Sequence, residues 1–84
     1  MSTITTSDIS TWIAGRIVAY GKIGAADFTT QTPLADLGLD SVYALTLCGD
    51  LEDEYGIDVD PSMFADAANI DELAEILRPR ITAP

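Results

Sequence analysis

The sequence predicts an all-α fold, a small four-helix bundle with a long loop between the first and second helices and a short third helix. Apolar residues recur at spacings of three and four along most of the 84 residues, which is the period of a helix with one buried face. A hydrophobic content of 48% in so short a chain suffices for one compact core and leaves no room for a second. We therefore expect a single domain over residues 1–84, with an ordered core over about residues 7–78 and a frayed tail over 79–84.

The first helix is predicted to begin at Ser7 or Asp8, because either side chain can accept hydrogen bonds from free backbone amides at a helix start. Gly21 is placed to end it. Apolar and aromatic side chains repeat at helical spacing along one face between these points: Ile9, Trp12, Ile13, Ile17 and Tyr20. This helix should bury that face against the rest of the bundle.

The second helix is predicted over residues 41–55, with Gly56 closing it. One stripe is apolar and consists of Ala44, Leu47, Cys48, Leu51 and Tyr55. Polar and acidic side chains fall away from that stripe: Thr46, Asp50, Asp53 and Glu54. The pattern is typical of a helix that packs on one side and meets solvent on the other.

Two shorter helical segments follow. Pro61, which comes after Asp60, suits the first turn of a short third helix over about residues 61–65. Asn69 and Glu72 form a capping box for the last helix, and we expect Pro79 to stop that helix. The last helix presents a regular apolar face made of Ile70, Leu73, Ala74 and Leu77.

The segment from Lys22 to Asp40 is longer than the roughly 2 to 8 residues that usually connect helices in a bundle. It carries apolar side chains that can hold it against the helices: Phe28, Leu34, Leu37 and Leu39. Pro33 and Gly38 are placed to shape its turns. We expect this loop to present Ser41 in a defined position at the head of the second helix.

Charge and composition exclude several classes of partner. The net charge is −10, from 14 acidic and 4 basic side chains, which disfavours nucleic acid and anionic lipid and favours basic protein surfaces. No apolar run approaches the roughly 20 residues of a membrane span, and the first residues do not resemble a signal peptide. The single cysteine, Cys48, cannot form an internal disulfide. We expect a cytoplasmic monomer with no membrane or nucleic-acid partner.

Catalytic and metal sites are also disfavoured. The chain has no histidine, which excludes Ser-His-Asp and Cys-His arrangements in their usual form, and Lys22 is its only lysine. Cys48 lies in an apolar stripe, where a thiol behaves as a small hydrophobic group. The acidic pair of Asp58 and Asp60 lacks the glycine and glutamate of a calcium-binding loop. We predict no catalytic residue and no metal site, so that Ser41 would need a second protein to activate it.

Ser41 taken alone is explained by a helix start, because serine accepts hydrogen bonds from backbone amides there. Val42 and Leu45, however, lie outside the buried stripe on the same side as Ser41, and either contact with a partner or packing beneath the loop would account for them. Acidic residues surround this end of the chain and would either attract a basic partner or simply form a solvated face. They are Asp36, Asp40, Asp50, Glu52, Asp53 and Glu54.

The segment Thr-Pro-Leu-Ala-Asp-Leu-Gly-Leu-Asp-Ser-Val at residues 32–42 resembles the attachment motif of acyl carrier proteins, Asp-Ser-Leu preceded by a leucine-glycine pair. The helical layout, the long first loop and the acidic second helix are similar to that family over nearly the whole chain. The resemblance implies that Ser41 carries a 4'-phosphopantetheine arm, with Gly38, Leu39 and Asp40 completing the attachment segment. A separate phosphopantetheinyl transferase would install the arm from coenzyme A with magnesium, and the arm's thiol would hold an acyl group as a thioester.

The same resemblance implies a non-catalytic carrier whose partners also include an acyltransferase, a ketosynthase or an acyl or adenylating ligase. Val42 and Leu45 would make apolar contacts with these enzymes, and Asp50, Glu52 and Asp53 would supply steering charges. Val42 replaces the family's usual leucine, and Tyr43 is bulky for an exposed position. An aspartate before the serine favours polyketide, fatty-acid or related secondary-metabolite biosynthesis. The alternatives are a peptidyl or aminoacyl carrier of a nonribosomal pathway and an unmodified acidic module that binds a protein.

Overall fold

A computed structural model describes residues 4–21, 23–38 and 41–82, except for the side chains of Ser41 and Thr82. Within these ranges the regular structure is helical, which confirms the all-α class. The three α-helices are α1 (Thr6–Ala19), α2 (Ser41–Tyr55) and α3 (Ile70–Thr82). Three short 3₁₀ turns lie between them, at Ala25–Asp27, Leu34–Leu37 and Pro61–Phe64.

A fourth helix is not confirmed, because the segment expected as the short third helix is one 3₁₀ turn, Pro61–Phe64. Its hydrogen bonds span three residues, as in the 2.9 Å bond from the Met63 amide to the Asp60 carbonyl. The Asp60 carboxylate accepts a 2.9 Å hydrogen bond from the Ser62 amide and thereby caps the turn. Hydrogen bonds from Ser62 lower the pKa of Asp60. The entry at Asp60 and Pro61 was therefore predicted correctly, and the helix type was not.

The start of α1 lies earlier than predicted. Thr5 is the N-cap, its hydroxyl accepting a 3.0 Å hydrogen bond from the Asp8 amide, while the Asp8 carboxylate accepts a 3.1 Å bond from the Thr5 amide. The prediction that Ser7 or Asp8 caps this helix is therefore wrong, because Asp8 serves as the third residue of a capping box. The end is as predicted, with Gly21 just beyond Tyr20 in a left-handed conformation.

The last helix begins as predicted and ends later. The Glu72 amide donates a 2.8 Å hydrogen bond to the Asn69 side chain, but the Glu72 carboxylate accepts from Ala68 rather than from Asn69. The helix then continues through Pro79 to Thr82, so the prediction that Pro79 stops it is wrong. Proline removes the amide that would bond to the Glu75 carbonyl, and this carbonyl lies on an exposed part of the helix where water can replace the amide.

The apolar faces predicted for all three α-helices meet in one core. The buried side chains from them are Ile9, Ile13, Ile17, Leu47, Cys48, Leu51, Ile70, Leu73, Ala74 and Leu77. Connecting segments contribute Leu37, Val59, Met63 and Ala67. The loop before α2 is thus packed into the same core, as its apolar residues predicted.

Aromatic contacts fix the direction in which α2 runs beside α1. Tyr20, at the end of α1, packs against Tyr43 near the start of α2, with ring centroids 5.7 Å apart. Trp12, earlier in α1, packs edge-on against Tyr55 at the end of α2, with centroids 5.5 Å apart. The two helices are therefore antiparallel, and the start of α2 lies at the opposite end of the bundle from Thr6.

The start of α3 holds the long loop in place. The Asp71 carboxylate accepts hydrogen bonds of 2.8 Å from the Ser10 hydroxyl and 3.0 Å from the Thr30 hydroxyl, joining α1, the loop and α3. The Leu34 amide also donates to the Ala68 carbonyl at 3.0 Å. Because Leu34 is the first residue of the 3₁₀ turn that precedes α2, these bonds hold the start of that turn against α3.

Candidate functional site at the start of helix α2

Ser41 is the first residue of α2, in agreement with the predicted helix start. Leu39 and Asp40, predicted as part of the same site, lie outside the described residues. Gly38 ends the preceding 3₁₀ turn with a φ of 72°, a left-handed conformation in which a residue with a Cβ atom would be strained. Leu37 beside it is only 1% exposed. The backbone at Leu37 and Gly38 is therefore fixed by a buried side chain and by a turn that favours glycine.

The electrostatics of a helix start suit an anionic group on residue 41. The first amides of a helix have no intrahelical acceptor, and the aligned peptide dipoles place partial positive charge there. A phosphate attached at this position would be stabilised by those amides. The first residue of α2 is thus chemically compatible with the phosphodiester that the sequence motif implies.

Val42 and Leu45 are the large hydrophobic side chains that the described residues expose, at 67% and 58%. This exposure contradicts the alternative that they pack beneath the loop. Gly49 lies one turn beyond Leu45, and a Cβ atom built on it would meet no other atom within 4 Å. We refer to Val42, Leu45 and Gly49 as the apolar strip, which runs along α2 from the residue next to Ser41.

A second apolar feature adjoins the first turn of α2. An open groove of about 230 Å³ is bordered by Ala44 of α2 and by residues of the preceding loop and of the 3₁₀ turn before α3. Its lining residues are Leu34, Ala35, Ala44, Phe64 and Ala65. At its start, α2 therefore presents two apolar surfaces: the apolar strip, which begins at Val42, and the groove beside Ala44.

The acidic residues predicted to steer partners differ in how the fold uses them. The Asp50 carboxylate accepts hydrogen bonds from the Tyr20 hydroxyl at 2.6 Å and from the Arg16 guanidinium at 3.1 Å. The Glu52 carboxylate accepts a 3.0 Å bond from the Val59 amide. Asp53 is exposed. Asp50 and Glu52 thus form hydrogen bonds that stabilise the fold, whereas the exposed carboxylate of Asp53 is available to interact with a partner.

Asp50 belongs to a cluster with Arg16, Tyr20 and Tyr43 that the sequence did not predict. Burial, followed by the hydrogen bond to Asp50, raises the pKa of Tyr20 from 10.0 to about 12. The hydrogen bond to Asp50 likewise raises the pKa of Arg16. Tyr43, expected to be exposed, is half-buried because its ring packs on Tyr20. In the sequence, Arg16 and Tyr20 are four residues apart and Tyr43 and Asp50 are seven apart, so each pair lies on one face of its helix. These spacings do not indicate that the two faces contact each other.

Cys48 is 5% exposed, as its place in the apolar stripe predicted. Burial raises the pKa of the thiol and so disfavours a reactive thiolate. None of the helices in the described ranges combines the length and apolarity needed to span a bilayer.

A family described as phosphopantetheine attachment site matches residues 12–77, which is more than half of the chain. The crystal structure of a free-standing peptidyl carrier protein from an uncharacterised secondary metabolic pathway of Acinetobacter baumannii has a similar fold. Its TM-score is 0.77 at 28% identity, with 86% of this chain and 90% of that chain covered.

Related sequences occur inside large synthases. A non-reducing polyketide synthase of Gibberella zeae is 37% identical over 57 residues, and one of Penicillium herquei is 31% identical over 71 residues. These matches cover 68% and 84% of this chain. The chain spans only 3% of the length of either synthase.

Proposed function

Because the chain belongs to the phosphopantetheine attachment family of carrier domains, we propose that Ser41 is the residue that bears the 4'-phosphopantetheine arm. Members of this family attach that group covalently, and the resemblance to acyl carrier proteins drawn from residues 32–42 is confirmed at the level of the family. One observation carries the assignment to Ser41. It opens α2 directly after a loop anchored by Leu37 and Gly38, and the exposed apolar strip begins at the next residue.

The proposed attachment is a phosphoryl transfer that needs little from this chain. The Ser41 oxygen forms a bond to the phosphorus of the phosphopantetheinyl group, the nucleotide half of coenzyme A leaves, and the hydroxyl proton passes to a base. The chain has no histidine to act as that base, so the transferase supplies it together with the magnesium ion. This chain contributes position, because Ser41 is the first residue of helix α2.

The loaded arm supplies a thiol that holds an acyl group as a thioester. The carrier is then non-catalytic, and its own surface selects the enzymes that act on the cargo. Val42 and Leu45 offer apolar contact area next to the arm, and Asp53 offers an exposed negative charge on the same helix. Leu39 and Asp40 are proposed, with Gly38, to complete the segment that the transferase recognises.

The synthase matches favour a polyketide pathway, with an acyltransferase and a ketosynthase among the partners. A peptidyl carrier role is the second candidate, because a solved structure with a similar fold is that of a peptidyl carrier protein. Loading by an adenylating ligase would distinguish them. We expect acyl substrates to be transferred to the holo carrier and amino acids not to be.

The attachment itself is tested by intact mass. Incubation of the purified chain with coenzyme A, magnesium and a transferase of broad specificity should add one phosphopantetheinyl group, and Ser41→Ala should abolish the gain. Ser7→Ala is the matched control, since Ser7 is an exposed serine in the first turn of another helix. A wild-type chain that gains no mass would favour the unmodified binding module. A gain that persists in Ser41→Ala would move the site elsewhere.

A further inference from the structure

The described side chains of the first turn of α2, residues 42–44, all lie outside the buried core. The buried side chains of α2 begin with Leu47 and continue with Cys48 and Leu51. Before them, Val42, Leu45 and Thr46 are exposed, while Tyr43 and Ala44 are half-buried. A helix end with few buried contacts opens more readily than the rest of the helix. Tyr43 and Ala44, the half-buried side chains of this turn, are therefore placed to hold it against the rest of the bundle.

Tyr43 makes the aromatic contact of this turn. Its ring lies 5.7 Å from that of Tyr20, centroid to centroid, at an interplanar angle of 38°. Aromatic pairs at this separation are favourable beyond the area that they bury. Because Tyr20 caps the end of α1, the contact ties the first turn of α2 to a different helix.

Tyr20 is itself held by two neighbours. Its hydroxyl donates a 2.6 Å hydrogen bond to Asp50, and the Arg16 guanidinium lies 5.7 Å from the centre of its ring while also donating to Asp50. Asp50 is seven residues after Tyr43, which at 3.6 residues per turn puts both on one face of α2. Tyr20 thus lies along that face and contacts its first and third turns together. We name Arg16, Tyr20, Tyr43 and Asp50 the α1–α2 clamp.

We propose that the α1–α2 clamp keeps the first turn of α2 folded and so sets the fraction of molecules in which Ser41 is presented to the transferase. The proposal rests on the assignment of Ser41 as the attachment residue. Tyr43 acts as a positioning residue, through the backbone of its own turn, and Tyr20 positions Tyr43. For a transferase that recognises the folded turn, the apparent affinity for the carrier is proportional to the fraction of molecules in which the turn is folded.

Amide hydrogen exchange tests the structural half of the proposal. In an α-helix the amides of Leu45, Thr46 and Leu47 close the first turn onto the carbonyls of residues 41–43. In Tyr43→Ala we expect exchange at these amides to speed up about tenfold. Alanine is the better helix former, so faster exchange would not come from helix propensity. Tyr43→Phe keeps the ring and should restore most of the protection.

Tyr55→Ala is the matched control. Tyr55 is also a tyrosine of α2 whose ring packs on α1, but it lies at the other end of the helix, against Trp12. Its loss should leave the exchange of Leu45, Thr46 and Leu47 unchanged at temperatures where circular dichroism shows both variants to be folded. Equal acceleration in Tyr43→Ala and Tyr55→Ala, or none in either, would overturn the proposal.

Transferase kinetics test the functional half. For Tyr43→Ala we expect KM for the carrier to rise by the factor by which the folded fraction of the turn falls, about threefold if about one third of the molecules keep the turn folded. We expect kcat to be nearly unchanged, because at saturating carrier every enzyme molecule holds a carrier with the turn folded. Tyr20→Ala should show the same split between KM and kcat. A KM that does not rise by the factor expected from the opening equilibrium measured by exchange would refute the link to Ser41. If the wild-type chain is not modified at all, the attachment assignment fails, and the exchange experiment still decides whether the clamp orders the turn.

Discussion

Asp50 shows how a single residue can change its role between sequence and structure. Its place on the polar side of α2 predicted a charge that faces partners, yet the carboxylate accepts hydrogen bonds from Tyr20 and Arg16 of α1. The ion pair with Arg16 is partly exposed, with side chains 41% and 27% accessible for Arg16 and Asp50, so it contributes little by itself. The 2.6 Å hydrogen bond from the Tyr20 hydroxyl to Asp50 fixes the position of the Tyr20 ring against α2.

The Tyr20 hydroxyl gives a prediction about pH. Its pKa is raised from 10.0 to about 12, so its stabilising contribution is complete below pH 10 and is lost as the pH rises through 12. Tyr20→Phe should lower the free energy of unfolding by about 1 kcal/mol at pH 8. Urea unfolding at pH 8 and pH 11.5 should show this difference shrinking at the higher pH. A difference that stays constant would mean that the hydroxyl does not titrate with folding.

At the scale of elements, Asp71 joins three segments that are distant in sequence. Its carboxylate accepts from Ser10 of α1 and from Thr30 of the loop, and its amide donates to the Thr30 carbonyl at 3.1 Å. Ser10 is a buried polar side chain, 3% exposed. The bond from Ser10 leaves little freedom in how α1 meets α3, and the two bonds between Thr30 and Asp71 hold the loop on α3.

Removal of the Ser10 hydroxyl should therefore be costly. Ser10→Ala leaves the half-buried Asp71 carboxylate with one donor fewer, and we expect the free energy of unfolding to fall by about 1 to 2 kcal/mol. Ser7→Ala, on the exposed side of the same helix, should change it by less than about 0.5 kcal/mol. Chemical denaturation of both variants makes the comparison. Equal losses would show that the effect reflects the helix and not the bond to Asp71.

The helix faces could be predicted and the clamp could not, for physical reasons. Ile9, Ile13 and Ile17 repeat with the period of a helix, so their burial follows from the chain alone. The cap at Thr5 and the continuation of α3 through Pro79 depend on local hydrogen bonds that several residue patterns can satisfy. The contact of Tyr20 with Tyr43 depends on which helix faces meet, and a single sequence does not specify that.

On the scale of the whole molecule, charge is the dominant feature. The net charge of −10 on 84 residues should speed association with a basic partner and make that rate sensitive to salt. Substitution of Glu52 is a poor probe of this effect, because the Glu52 carboxylate accepts a hydrogen bond from the Val59 amide and loss of that bond would disturb the fold. Asp53 is exposed and free of that complication.

Reversal of the charge at Asp53 should show whether the position of a charge on α2, and not only the net charge of the chain, controls the rate of association with the transferase. Asp53→Lys should lower kcat/KM for the transferase by about two- to tenfold at low salt, because the positive charge stands on the helix that bears Ser41. Glu75→Lys makes the same change of net charge on an exposed part of α3 and should have a smaller effect. The gap should close at high salt. Equal rates for the two variants at low salt would exclude α2 as the steering surface.

The antiparallel arrangement of α1 and α2 bears on how such a unit fits into a longer polypeptide. Thr6 and Pro79 border one open groove of about 450 Å³, so the outer turns of the first and last helices lie side by side. That groove is at the far end of the bundle from Ser41. Domains joined to the outer ends of α1 and α3 would therefore lie at the end of the bundle opposite Ser41. A thiol on an arm attached to Ser41 would then move without steric obstruction from those domains.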